Sequence, residues 1–170
     1  MGLLIAFAGL PGAGKSTIAQ QLALRTGAIW LRADSIEQAI VDSGVVPGDL
    51  RDAGYRAAQA VAQDNLRLGR DVVADCVNDW KIARDGWQAV GLRAGVPVVW
   101  VEIVCGDAAE HRRRIETRVG DVPGLQLPDW AAVVGREYHD WDRERLTVDT
   151  AGRSVEEAVE LILATLRRLI

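Results

Sequence analysis

Eight consecutive residues, Gly9-Leu10-Pro11-Gly12-Ala13-Gly14-Lys15-Ser16, meet the spacing Gly-x-x-x-x-Gly-Lys-Ser. These residue types suit a triphosphate. Glycines admit positive φ and let backbone N–H groups come close to phosphate oxygens. A helix opening inside such a loop adds its unpaired N–H groups and the positive end of its dipole. Lys15 is expected to meet the β- and γ-phosphates and to balance charge as it moves. The Ser16 hydroxyl is expected to ligate Mg²⁺, so that Mg-ATP sits on Gly9 to Thr17. Lysine occurs only at positions 15 and 81, every other basic residue being Arg, so the choice of Lys here stands out.

The flanking pattern supplies the elements that must hold this loop. Leu3 to Ala8 is a continuous apolar run, the mark of a strand buried on both faces. The next helix carries Ile18, Leu22 and Ala23 on one side and ends near Gly27. Ala28–Leu31 reads as a second strand, and Ser35–Val41 as one or two helical turns. A helical stripe (50, 53, 57, 58, 61, 62) predicts a helix over Leu50–Leu68, closed by Gly69. Asp71–Ala74 is the third strand, with Asp75 at its end. A helix follows near Trp80–Ala94, then a strand over Val98–Val104. Asp107 with Glu110 is a capping pattern for a helix bearing Arg112, Arg113, Arg114 and Arg118. Gly120–Pro128 is a loop, Asp129–Tyr138 a helix, and Leu146–Val148 a fifth strand ending at Asp149. Ser154 and Glu157 cap a last helix that runs to the C-terminus. Strands alternating with helices predict a three-layer α/β/α domain over 1–170 with five parallel strands.

The remaining motifs narrow the class. No Asn-Lys-x-Asp guanine-reading motif is present; Asn78-Asp79-Trp80-Lys81 has the wrong order. A motor ATPase would follow a strand with Asp-Glu, whereas Val72-Val73-Ala74-Asp75 is followed by Cys76. From the loop onwards, nearly the whole chain resembles the small P-loop kinases: gluconate, shikimate, adenylylsulfate and chloramphenicol kinases, and polynucleotide 5′-kinases. The resemblance implies a P-loop NTPase fold with a short helical lid at about 112–128 and transfer of the ATP γ-phosphoryl to a hydroxyl. In that group an Asp after the second strand, here Asp34, binds the acceptor hydroxyl and takes its proton. Asp34 also suits an N-cap for the helix from Ser35, and the two roles are compatible. Asp75-Cys76-Val77-Asn78 is similar to the group's Asp-x-x-Asn segment. It implies Mg²⁺ or acceptor contact for Asp75, with a buried brace under the loop as the alternative, and an acceptor contact for Asn78. Arg84 matches an Arg that recurs in these kinases; it faces either the acceptor or solvent. Arg114 and Arg118, spaced to share a helix face, match the group's lid arginines, which close over ATP and stabilise the transferred phosphoryl. The alternative for that run is a charged surface helix.

The bulk numbers exclude other classes. The chain has 170 residues, 49% apolar and 26% charged, which is enough for one domain with a core. A net charge of −4 disfavours nucleic acid as the main partner; the resemblance implies a small hydroxylated molecule as acceptor, with a nucleic-acid 5′ end or an ATP-hydrolysing switch as the alternatives. No run reaches the roughly 18 apolar residues of a membrane span, and the start lacks a leader's basic region, so a cytoplasmic protein, monomer or homodimer, is expected. Cys76 and Cys105 form no zinc pattern. His111 reads as a helix-surface residue. Six tryptophans accompany a single Phe, and core packing accounts for most of them; Trp80, Trp130 and Trp141 flank predicted loops and could line a pocket for a flat or apolar acceptor.

Overall fold

The computed structural model describes residues 2–45, 50 and 52–169. Five parallel strands form one sheet: β1 (Leu4–Ala8), β2 (Ile29–Arg32), β3 (Val72–Asp75), β4 (Val98–Val104) and β5 (Leu146–Asp149). Their order is β2-β3-β1-β4-β5, with Leu4 opposite both Val72 and Val98. β1 is therefore central, and the loop that leaves it emerges where the sheet is widest.

The apolar run of β1 has its reason in two covered faces. Ile5 and Phe7 join one core with α1 (Lys15–Thr26) and α7 (Val155–Leu169) through Ile18, Leu22, Val159 and Ile162. Leu4 and Ala6 join the other with α3 (Ala53–Arg67) and α4 (Lys81–Ala94) through Ala58, Ala62, Trp87 and Val90. Each strand residue thus meets helix on alternate sides, giving three layers. Truncating fully buried Phe7 to Ala is expected to cost about 3–5 kcal/mol.

Several element bounds differ from the sequence reading. α2 spans Ala33–Asp42, longer than one or two turns at 35–41. α3 begins at Ala53 rather than Leu50; Arg51, inside the expected helix, lies outside the described residues, as does Ile170. Asp71 precedes β3 and accepts the Leu3 amide at 2.8 Å. α5 covers Ala108–Thr117, with Asp107 accepting from the amides of Ala109 and Glu110. The helix expected over 129–138 is only α6, Trp130–Val134. Gly135 ends it, and bonds from Arg84, Asp79 and Glu102 hold the following segment in an irregular path. Among the described residues, no helix is long and apolar enough to cross a membrane.

Candidate functional site

A cleft of about 1680 Å³ opens at the C-terminal ends of β1, β2 and β3, the edge where open α/β sheets hold ligands. Its floor on one side is the Gly9–Ser16 loop. Gly9 has φ 131°, and a Cβ there would lie 2.0 Å from the Ile103 carbonyl oxygen. Gly12 has φ 78°, and a Cβ would meet Ile115 Cδ1 at 2.4 Å. The backbone contact requires glycine at position 9, and the left-handed φ favours it at position 12. Pro11, Gly12, Gly14, Lys15, Ser16 and Thr17 line the cleft; Gly9, Leu10 and Ala13 do not.

Lys15 is buried, 7% exposed, and its Nζ donates to the Leu10 carbonyl at 3.1 Å. Burial lowers its pKa, against the opposing pull of Asp75 and Asp34. Asp75, at the end of β3, is pushed up by burial, with Lys15 and the Ser16 hydroxyl drawing it down. Trp30 Nε1 also donates to it at 3.3 Å. The Ser16 hydroxyl and the Asp75 carboxylate are thus hard oxygen donors side by side, a set that suits Mg²⁺ shared with phosphate oxygens. Among the described residues there is no cluster of three or more His, Cys, Asp or Glu that would hold a metal without such help.

The loop is braced from behind by residues distant in sequence. His111, buried and not on the surface as the sequence suggested, places Nε2 2.8 Å from the Pro11 carbonyl. The Thr150 hydroxyl, just past β5, lies 2.9 Å from the Ala13 carbonyl oxygen. Arg114 donates to Thr150 Oγ1 at 2.8 Å and to Glu110 at 2.5 Å. Arg118 does not share its face: α5 stops at Thr117, and Arg118 turns into extended backbone and donates to the Pro128 carbonyl at 2.7 Å. Both arginines nevertheless line the cleft.

The opposite side is built from α2, α3 and α4. Asp34, in the first turn of α2 rather than at its cap, lines the cleft with its side chain 44% exposed. Glu37, three residues on, lines it too, its carboxyl raised by burial first and by Asp34 second. Arg32 forms a two-point bond to Asp121 at 2.6 and 2.9 Å, tying the end of β2 to the loop after α5. Arg136 pairs with buried Asp79.

Two expected acceptor residues face elsewhere. Asn78, with φ 50°, is buried and donates to the Phe7 carbonyl at 2.7 Å. Arg84 is 0% exposed. Its guanidinium donates to the carbonyls of Asp79, His139 and Asp140 at 3.0, 2.6 and 3.0 Å and stacks on Trp141. It anchors the segment after α6, as does Glu102, which accepts from Tyr138, Trp141 and Arg145.

Glu37, Thr150, Arg136 and the brace by His111 escaped the sequence reading. Thr150 had a usable signal: a polar residue directly after a parallel strand points at the ligand edge. The others carry no local pattern.

The AAA domain family profile matches residues 4–136. An uncharacterised protein of Mycobacterium tuberculosis is 31% identical over 169 residues, covering 90% of this chain and 33% of that protein. The chain thus spans about a third of that relative. A shikimate kinase of Frankia casuarinae is 28% identical, covering 98% of this chain and 74% of that one. The structure of a Mycobacterium tuberculosis APS kinase in complex with AMPPNP and APS superposes with TM-score 0.67 at 22% identity, covering 98% of each chain. The chain belongs to the AAA domain family, and its fold is that of the kinase structures it is similar to.

Proposed function

We propose that the chain is an ATP-dependent kinase that transfers the γ-phosphoryl of Mg-ATP to a hydroxyl of a small molecule. One observation carries this reading: buried Lys15 and the carboxylate of Asp34 line the same cleft from its two sides. The kinase and shikimate kinase relatives support it, as do neighbours bound to AMPPNP or ADP-AlF3.

In this account the loop amides and Lys15 bind the phosphates, and Ser16 with Asp75 would hold Mg²⁺, which would supply charge to offset the phosphates. Asp34 accepts a hydrogen bond from the acceptor hydroxyl and takes its proton. The acceptor oxygen forms the new bond to phosphorus while the bond between phosphorus and the β,γ-bridging oxygen breaks, and ADP leaves. Arg114 and Arg118 stabilise the charge spreading on the moving group. Pairing of Arg32, Arg56 and Arg136 with carboxylates supports a small acceptor over a nucleic-acid 5′ end. A cytoplasmic location is part of this reading.

The test is an ADP-release screen over hydroxylated compounds. Stimulation by at least one acceptor, with phosphate recovered on that acceptor, supports the reading. Hydrolysis indifferent to every acceptor would instead fit a nucleotide-dependent switch.

A further inference from the structure

The tryptophans that flank loops go to different places. Trp130 stands edge-on to His111, and Trp141 edge-on to Trp100 under the Arg84 guanidinium. Trp80 alone of the three lines the cleft. It precedes the first turn of α4, 46% exposed, with one side against the His139 ring at 4.9 Å between centroids. Ile82, 76% exposed, lines the same cleft, and Ala83 and Gly86 continue the surface. Tyr55 and Gln59 of α3 lie alongside.

A large apolar side chain held open to water inside a concave site points to what the site receives. The charged residues that flank Trp80 and Ile82 in sequence are already engaged. Asp79 holds Arg136, Asp85 holds Lys81 and Arg143, and Arg84 is taken up by three carbonyls. An occupant therefore gains from apolar contact and stacking rather than from an ion pair. Asp34 lines the same cleft.

We propose that Trp80 and Ile82 form the specificity wall for an uncharged, flat aromatic portion of the acceptor, stacked on the open indole while its hydroxyl meets Asp34. This rests on the kinase reading. It predicts that aryl or heteroaryl alcohols are preferred to sugar acids and open-chain polyols.

The experiment is calorimetric binding to the protein loaded with a non-hydrolysable ATP analogue. The probes are nucleosides and phenyl-substituted diols on one arm, and sugar acids and aliphatic polyols on the other. Expected results are tighter binding of the aromatic arm, a loss on the order of tenfold in Trp80→Ala, and near wild-type binding in Trp80→Phe. Equal binding of both arms, or aromatic binding within about twofold of wild type in Trp80→Ala, overturns the proposal. Thermal melting of both variants checks the fold. If acceptors drive ADP release while Trp80→Ala changes nothing, the wall fails and the kinase reading stands. If aromatic compounds bind through Trp80 and none drives ADP release, the kinase reading fails and the wall stands.

Discussion

The two sides of the cleft are built on opposite plans. The phosphate side is one unbroken stretch, Gly9–Thr17, with glycines forced by contacts as short as 2.0 Å from a would-be Cβ to the Ile103 carbonyl. It is locked from behind by His111, Thr150 and Arg114. The proposed acceptor side is a set of single side chains, Asp34, Glu37, Tyr55, Trp80 and Arg136, drawn from two helices and two loops. The first side recognises a group that does not vary and tolerates little change. The second can be altered one residue at a time, which is how one scaffold serves many acceptors.

The difference is sharpest in what substitution should do. Lys15→Ala is expected to lower turnover by at least about 10³-fold, read by ADP release. Its melting temperature should not fall, because burial already penalises the Lys15 charge. Retained turnover would break the claim that this side does the electrostatic work. Thr150→Val tests the rear brace. It removes the hydroxyl between Ala13, Val104 and Arg114, and should cost about 1–3 kcal/mol in stability and about tenfold in nucleotide affinity. A variant that melts lower but binds nucleotide unchanged would separate brace from binding. On the other side, the Arg32–Asp121 bond joins β2 to the loop after α5. Asp121 is well exposed, so a double-mutant cycle should give a coupling of only about 0.2–1 kcal/mol in stability.

The smallest effect is the pH response of Asp75. Its folded pKa is raised, so the folded protein holds this proton more tightly than the unfolded chain. The resulting stabilisation is full below the ordinary carboxyl value of 3.8 and is lost as pH rises through the raised folded value. The difference in melting temperature between wild type and Asp75→Asn should therefore drift against the wild type across that window. A flat difference would contradict the burial that the structure gives this carboxyl.

Legibility in the sequence followed the same division. The loop, five strands and order of helices could be read because each is contiguous: strand burial leaves apolar runs, and helix faces leave periodic ones. Asp34 could be read because it follows the end of a parallel strand, on the sheet edge where the loop also lies. Arg84 and Asn78 went astray because their types suggest ligand contact, while they bond to backbone carbonyls that, apart from that of Asp79, lie more than 50 residues away in sequence. Such carbonyls leave no mark on a sequence. The helix expected over 129–138 ends at Val134 for a related reason. Arg136 reaching Asp79, and Arg84 and Glu102 holding residues 138–145, outweigh the local preference beyond Gly135.

The central claim is that the cleft joins a phosphate side to a carboxylate that prepares a hydroxyl for attack. It is tested most directly by single-turnover transfer of the γ-phosphoryl to an acceptor, comparing wild type with Asp34→Asn. The account predicts nucleotide affinity within about twofold of wild type and transfer slowed by about 10²–10⁴-fold. Transfer at the wild-type rate in Asp34→Asn would contradict it.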